Sequence, residues 1–224
     1  MAIKIGINGF GRIGRMVLRS IIENNRKDIE VVAINNRAKS EVSNFLLKHD
    51  TIHGKLKAKI NYSDQSLDIN EKKIAMTHET EISKINWKKN KVDVVLECTG
   101  KFNTKEKSAQ HIKSGAKKVL VSAPCKGAIN IVFGVNHNVL KKSDQIISAA
   151  SCTTNCLAPV AHVINEEFGI ERGFMTTIHS YTTDQRLLDN SHKDLRRARS
   201  APNSMIPTTT GATKSLGDVI PDLK

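Results

Sequence analysis

A cysteine between an apolar segment and a helical pattern is the residue of this sequence best suited to chemistry. Cys152 follows the apolar run 145–150 and precedes residues 157–168, whose pattern predicts a helix. A helix N-terminus carries partial positive charge, so it favours the thiolate and lowers the pKa of a thiol. Because hydroxyl side chains flank Cys152, the site also suits a carbonyl compound that carries an anionic group. We therefore predict that Cys152 is a nucleophile rather than a buried structural cysteine.

A nucleophilic cysteine needs a base, and His179 is a candidate on a segment of its own. Residues 170–182 have the β-branched and aromatic content of a strand, which places His179 towards its far end. An imidazole near neutrality can hold the thiolate as an ion pair and then transfer a proton. The chain has 8 histidines, so the residue pattern alone does not distinguish His179 from a structural histidine.

A glycine-rich turn lies between a strand and a helix at the start of the chain. Residues 3–8 predict a strand, the run G-F-G-R-I-G (9–14) follows at once, and a helix is predicted from Arg12 to about Asn24. The glycines of such a turn let the pyrophosphate of a dinucleotide approach the backbone, and the helix N-terminus binds it. A second strand, residues 30–35, completes the βαβ unit, so a chance glycine turn is a poor explanation.

The end of that second strand departs from the usual pattern of a NAD site. An aspartate or glutamate there normally binds the adenosine ribose hydroxyls, but this chain has Asn36, Arg37 and then Lys39. A carboxylate would repel a 2′-phosphate, whereas an amide beside cations would accept one. We therefore expect NADP to be used alongside NAD or in preference to it. The alternative is that Asn36 binds the hydroxyls of NAD and the cations are solvated.

The motifs of the whole chain resemble those of one enzyme family. The sequence is similar to the phosphorylating glyceraldehyde-3-phosphate dehydrogenases of the bacterial and organellar type from residue 2 to the last residue. The motifs that carry the resemblance are, in order, N-G-F-G-R-I-G-R (8–15), H-D-T-I-H-G (49–54), E-C-T-G-K-F (97–102), S-A-P (122–124), S-C-T-T-N-C (151–156), H-S-Y-T-T-D-Q (179–185), H-K-D-L-R-R-A-R (192–199) and T-T-T-G-A-T-K (208–214). Erythrose-4-phosphate dehydrogenases share the cysteine and histidine motifs and are the alternative.

The resemblance implies a role for each chemical group. Cys152 would attack the aldehyde of glyceraldehyde 3-phosphate, and His179 would activate the thiol and take the hydroxyl proton as hydride passes to NAD or NADP. Inorganic phosphate would then cleave the thioester to give 1,3-bisphosphoglycerate, in glycolysis or, in the reverse direction, in gluconeogenesis. The residues implied for the cofactor are Asn8, Gly9, Gly11, Arg12, Ile13, Asn36, Arg37, Thr99, Gly100, Phe102 and Ser122. Those implied for the two phosphates are Ser151, Thr153, Thr182, Arg197, Thr210 and Gly211.

The order of elements predicts an α/β fold. Strands alternate with helices through residue 150, which predicts a Rossmann-type doubly wound parallel sheet in a dinucleotide-binding domain of residues 1–150. Residues 151–224 would begin an α+β catalytic domain. Short alternating runs around residues 57–76, flanking Asn61 and Asn70, predict an antiparallel insertion.

The resemblance also carries expectations about length, assembly and cofactor choice. Family members continue well beyond residue 224, with an arginine that binds both phosphates and an asparagine that orients the nicotinamide. We therefore expect a fragment of a product that is a homotetramer when full length; a true truncation would bind a dinucleotide at best and lose catalysis. Family members often carry Leu-Pro where this chain has Asn190-Ser191, a second departure that would leave room for a 2′-phosphate.

Composition favours a cytoplasmic enzyme. No apolar stretch approaches the roughly 20 residues of a membrane helix, and the first strand follows Met1 so closely that a signal peptide has no room. The four cysteines have neither disulfide nor zinc spacing, so no metal is expected. The formal charge of +13 would attract nucleic acid, but the lysines are dispersed and only 4% of residues are aromatic, which disfavours specific nucleic-acid binding.

Overall fold

The computed structural model describes residues 1–224, which divide into two compact units, residues 1–152 and 153–224. The helices and strands of the first unit are β1 (Ile3–Asn8), α1 (Arg12–Glu23), β2 (Ile29–Asn35), α2 (Ser40–Lys48), β3 (His49–Asp50), β4 (Gly54–Lys55), β5 (Ile60–Ser63), β6 (Ser66–Ile69), β7 (Lys72–Thr77), β8 (Val94–Glu97), α3 (Lys105–Lys113), β9 (Lys118–Val121), β10 (Ile129–Asn130) and β11 (Ile146–Ser148).

The first unit is built on a nine-stranded sheet in the order β10-β11-β9-β8-β1-β2-β7-β6-β5. All pairs from β10 to β7 are parallel, and β6 and β5 continue the sheet antiparallel. The chain adds β2 on one side of β1 and later adds β8 on the other side, so the strand order reverses between β1 and β8. The predicted α/β fold with a large parallel sheet is confirmed. In such folds, ligands bind at the carboxyl ends of the strands where the order reverses.

The main apolar core joins the strands at the centre of the sheet to the helices that connect them. Ile7 of β1 and Ile34 of β2 are fully buried, as is Leu47 of α2. Helix α1 presents Leu18 to this cluster, with Val17 packed beside it. This packing fixes α1 against β1, so the turn between them has a defined geometry.

The region predicted as an antiparallel insertion forms two hairpins that extend the sheet. Strand β5 pairs with β6, and β6 pairs with β7, both antiparallel. The second hairpin turns at Asn70 and Glu71, which both have positive φ, as tight hairpin turns require. Asn61 lies inside β5 instead of at a turn, since the first hairpin turns at Asp64 and Gln65.

The second unit contains fewer regular elements. Its helices are α4 (Cys152–Phe168), whose first residue belongs to the first unit, and α5 (Ala212–Val219), with short 3-10 turns at Leu195–Ala198, Ala201–Asn203 and Pro221–Leu223. None of the helices in the chain combines the length and the apolar character needed to cross a membrane.

The strand predicted over residues 170–182 is wrong for this structure. Residues 172–182 have no regular secondary structure, and the side chains of Phe174 and Ile178 are almost fully exposed. A strand is stabilised by pairing with a neighbour, and no strand forms within residues 153–224. High β-propensity alone therefore does not produce a strand here.

Candidate functional site

Two glycines between β1 and α1, Gly9 and Gly11, and one in the first turn of α1, Gly14, shape this connection. Gly9 has φ +93°, and a Cβ there would lie 2.8 Å from the backbone nitrogen of Thr99. A Cβ on Gly14 would lie 2.3 Å from the carbonyl oxygen of Gly9, so Gly14 allows the helix to pack on the turn. Gly11 precedes the first residue of α1, and a Cβ there would meet nothing within 4 Å. Gly9 and Gly14 are therefore required by packing, whereas Gly11 keeps the helix N-terminus open.

A cavity of about 300 Å³ lies beside this turn, at the carboxyl ends of β1, β2 and β8. Its lining combines backbone of the turn with polar side chains from the strand ends. The lining residues are Asn8, Gly9, Gly11, Asn35, Asn36, Arg37, Glu79, Thr80, Ile82, Ile85, Cys98, Thr99, Lys101 and Phe102. Of the residues predicted to bind a cofactor, those outside the lining are Arg12, Ile13, Gly100 and Ser122.

Two buried asparagines link the ends of the central strands under the cavity. The Nδ2 of Asn35 donates to the Oδ1 of Asn8 over 2.8 Å. The Oδ1 of Asn35 accepts from the Thr77 hydroxyl and from the backbone nitrogen of Glu79, each over 2.9 Å. Asn35 is a residue of the site that was not predicted from the sequence. The available signal was a polar side chain that ends an apolar strand of the βαβ unit.

Arg12, a predicted pyrophosphate contact, has its side chain paired with Asp50. Its Nη1 lies 2.5 Å from Oδ2 of Asp50, which is nearly buried, and its Nη2 lies 3.4 Å from Oδ1. The Arg12 guanidinium, together with the backbone N–H groups of His53 and Ile52, holds the pKa of the Asp50 carboxyl well below its usual range. This ion pair connects the start of α1 to the short β3–β4 hairpin. The side chain of Ile13, the next residue of α1, is half exposed.

Asn36, the residue that follows β2, is held by hydrogen bonds to two neighbouring segments. Its Oδ1 accepts from the backbone nitrogen of Phe10 over 3.4 Å, and its Nδ2 donates to the hydroxyl of Ser43 over 3.0 Å. Asn36 therefore bridges the glycine turn and α2. Arg37 is exposed and lines the cavity, and the carboxylate that lines it belongs to Glu79.

The opposite wall of the cavity follows β8. Burial raises the pKa of the Cys98 thiol to about 11, while a hydrogen bond with the Ser122 side chain acts in the opposite direction. Ser122 therefore contacts a lining residue without itself lining the cavity. Gly100 is exposed with φ +71°, and its carbonyl accepts from the Nδ2 of Asn103 over 3.0 Å. Cys98 is a poor nucleophile because its thiolate is disfavoured.

Cys152 is the first residue of α4 and follows the short connection from β11, as the sequence predicts. The connection is tight: buried Ala150 has φ +56°, and Ser148 accepts from the Ala150 nitrogen over 3.1 Å. The Ser148 hydroxyl also donates to the carbonyl of Ala123 over 3.0 Å. Cys152 is exposed at the first position of a 17-residue helix. Its thiol is therefore accessible at a helix N-terminus, where the thiolate is favoured.

His179 lies in the extended, exposed segment of the second unit. Its Nδ1 is 2.6 Å from the carbonyl oxygen of Ser180. Because a carbonyl only accepts hydrogen bonds, Nδ1 carries a proton.

The residues predicted to bind phosphate lie at three places. Ser151 and Thr153 flank Cys152, and Thr210 accepts from the Ala212 nitrogen over 3.2 Å at the start of α5, which Gly211 precedes. At the third place, Thr182 donates its N–H to Gln185, and Arg197 binds Asp184 and the Thr208 hydroxyl. Asn190 and Ser191, which were predicted to leave room for a 2′-phosphate, are exposed.

The chain is similar to known proteins over its whole length. Residues 3–105 match the family described as glyceraldehyde 3-phosphate dehydrogenase, NAD binding domain, and residues 151–224 match its C-terminal domain. The chain is 54% identical to the glyceraldehyde-3-phosphate dehydrogenase of Cereibacter sphaeroides, 51% to that of Xanthobacter flavus and 52% to that of Geobacillus stearothermophilus. Each comparison covers 100% of this chain and 67% of the relative.

Proposed function

Because the chain belongs to the glyceraldehyde-3-phosphate dehydrogenase family, we propose that it binds NAD or NADP and takes part in the oxidation and phosphorylation of glyceraldehyde 3-phosphate. The observation that carries the proposal is the open N-terminus of α1 at Gly11, beside a polar cavity at the reversal point of the sheet. A helix N-terminus in this position attracts the pyrophosphate of a dinucleotide.

The residues of the cavity fit such a cofactor. A Cβ would fill the space at Gly11, so the backbone there can approach a phosphate closely. Asn8, Gly9 and Gly11 would hold the pyrophosphate, and Asn36 with Arg37 would bind the adenosine ribose. Once bound, the nicotinamide ring supplies the acceptor for the hydride that leaves the substrate.

The protein groups would perform the remaining steps. The Cys152 thiolate attacks the aldehyde carbon, which forms a C–S bond and moves the carbonyl electron pair onto oxygen. His179 takes the proton of the Cys152 thiol at Nε2, because its Nδ1–H is directed to Ser180. It passes that proton to the carbonyl oxygen as the thiohemiacetal forms and takes it back as hydride leaves. Loss of hydride leaves a thioester on Cys152. A phosphate oxygen then attacks the thioester carbon, the C–S bond breaks, and the Cys152 thiolate departs as the acyl phosphate forms.

Calorimetric titration of the 224-residue chain tests the cofactor half of the proposal. We expect saturable binding of NAD or NADP with a 1:1 stoichiometry. ATP serves as the control ligand, because it shares the adenosine and lacks the nicotinamide half. Failure of both dinucleotides to bind up to about 10 mM, a concentration that would detect even very weak complexes, would contradict the proposal.

We further propose that the site accepts NADP as well as NAD. The support is the run Asn35-Asn36-Arg37, which places two amides and a cation beside the cavity. Replacing Asn36 by aspartate introduces a carboxylate of similar shape next to the 2′ position. Because like charges repel in a partly buried site, we expect the Kd for NADP to rise at least tenfold relative to that for NAD.

The NADP prediction is checked by measuring both Kd values for the parent chain and for Asn36→Asp. Lys101→Ala is the control, since it removes a cation that lines the opposite wall of the cavity and should affect both cofactors to a similar degree. A Kd of the parent chain that is much higher for NADP than for NAD would contradict the prediction.

A further inference from the structure

Three buried side chains next to the cavity have no role in the chemistry above. Trp87, Glu97 and His111 are each at most 1% exposed. The indole Nε1 of Trp87 is 3.0 Å from Nδ1 of His111, and Nε2 of His111 is 2.8 Å from Oε2 of Glu97. Trp87 reaches this place because Gly6 of β1 has no side chain; a Cβ there would lie 2.8 Å from the indole ring.

The hydrogen-bond pattern determines the form of His111. An indole N–H only donates, so Nδ1 of His111 must accept and carries no proton. The proton of the neutral ring is therefore on Nε2, which donates to the Glu97 carboxylate. The contact between His111 and Glu97 is thus a hydrogen bond from a neutral imidazole to a carboxylate, although the distance alone would also fit an ion pair.

The same carboxylate holds two residues of the cavity lining. Asn8 Nδ2 donates to Oε2 of Glu97 over 2.6 Å, and the Thr99 nitrogen donates to Oε1 over 2.8 Å. The Thr99 hydroxyl also donates to Oε1. Burial raises the pKa of the Glu97 carboxyl, but the hydrogen bonds from His111, Thr99 and Asn8 outweigh burial and bring the pKa below its ordinary value.

These contacts connect the buried core to both walls of the cavity. Asn8 ends β1 beside the glycine turn, and Thr99 follows β8 on the other side of the strand reversal. Only a group with acceptors on both oxygens can receive all of these donors. We propose that Glu97, as a carboxylate supported by neutral His111, is a positioning residue that fixes Asn8 and Thr99 for dinucleotide binding. This inference rests on the proposed function.

Glu97→Gln is the primary test, with the Kd for NAD measured by calorimetry. An amide has one acceptor oxygen, so one N–H donor must face another whichever way the side chain turns. We expect the Kd to rise at least tenfold, because Asn8 or Thr99 loses its partner. Asp93→Asn is the matched control at the other end of β8, where the carboxylate binds Lys117 and the Lys4 nitrogen. The Kd of this variant for NAD should equal that of the parent chain.

A purely structural role for Glu97 is distinguished by a variant that only destabilises the chain. Leu67→Ala removes a fully buried side chain of β6 that does not line the cavity. It should lower the melting temperature and leave the Kd for NAD unchanged. If Glu97→Gln binds NAD within about twofold of the parent, the inference is overturned. If the parent chain itself does not bind NAD, the proposed function fails instead.

The role of His111 has its own readout, which applies even if Glu97→Gln does not fold. Nitrogen NMR of the parent imidazole should show a proton on Nε2 and none on Nδ1. His111→Gln keeps a neutral donor for Glu97 and should change the Kd by no more than about threefold, whereas His111→Leu removes the donor and should weaken binding at least fivefold. A charged His111, or equal affinities for the two variants, would overturn the inference.

Discussion

Replacing Cys152 by serine is expected to remove the fast-reacting thiol of this protein. Cys152 is exposed at the N-terminus of α4, where the thiolate is favoured and accessible. Burial raises the pKa of both Cys98 and Cys125, so their thiols should react slowly near neutral pH. We expect iodoacetamide to label Cys152 at least tenfold faster than either Cys98 or Cys125. Any dehydrogenase turnover of the parent should fall by about 10³-fold or more in Cys152→Ser.

The measurement is the alkylation rate at each cysteine, followed by mass spectrometry of peptides, together with the rate of NADH formation from glyceraldehyde 3-phosphate and phosphate. Cys156→Ser is the matched control, because Cys156 is also exposed and lies one turn along the same helix. It should retain both the fast labelling and the turnover. Equal labelling of Cys152 and Cys98 would contradict the assignment of the nucleophile.

Gly11→Ala should weaken NAD binding with little loss of stability, whereas Gly14→Ala should mainly lower the stability of the fold. A methyl group at Gly11 meets no atom within 4 Å, so the free energy of unfolding should fall by less than about 1 kcal/mol. The same methyl group occupies the space that a pyrophosphate needs, and the Kd for NAD should rise at least tenfold. A methyl group at Gly14 meets the carbonyl oxygen of Gly9 at 2.3 Å and should cost about 2–3 kcal/mol of stability.

Urea unfolding and calorimetric titration of the two variants separate these effects. Gly54→Ala provides a further comparison, because Gly54 has φ +71° but lies in β4 and does not line the cavity. It should lose stability through backbone strain and retain its affinity for NAD. Undiminished NAD affinity in Gly11→Ala would show that the cofactor does not bind at the α1 N-terminus.

The first unit follows closely from local sequence signals. The predicted strand at residues 3–8 is β1, and the predicted helix from Arg12 to about Asn24 is α1, one residue shorter. Strand and helix periodicity act over a few residues, and the steric demands of Gly9 and Gly14 are likewise set by the backbone around the turn. These features can therefore be predicted without knowing what the unit packs against.

What local patterns did not indicate concerns interactions between distant residues. The segment 170–182 has strand-forming residues but no pairing partner within its unit, so it stays extended. The role of Arg12 at the pyrophosphate stays a prediction, but no pattern near residue 12 indicates the contact of its guanidinium with Asp50. Both outcomes depend on which other chain segments come close, and that information is absent from local periodicity.

The sequence by itself determined the βαβ unit, the glycine turn and the placement of Cys152 at a helix start, because each depends on residues that are neighbours in the chain. It also determined the family, because the order of short motifs along the whole chain is specific. The tertiary structure decided how the cavity is supported. Asn8 and Glu97 are 89 residues apart in sequence but 2.6 Å apart in space, and His111 takes its tautomer from Trp87. Buried polar groups must be paired, and the partner of each is known only once the sheet has assembled.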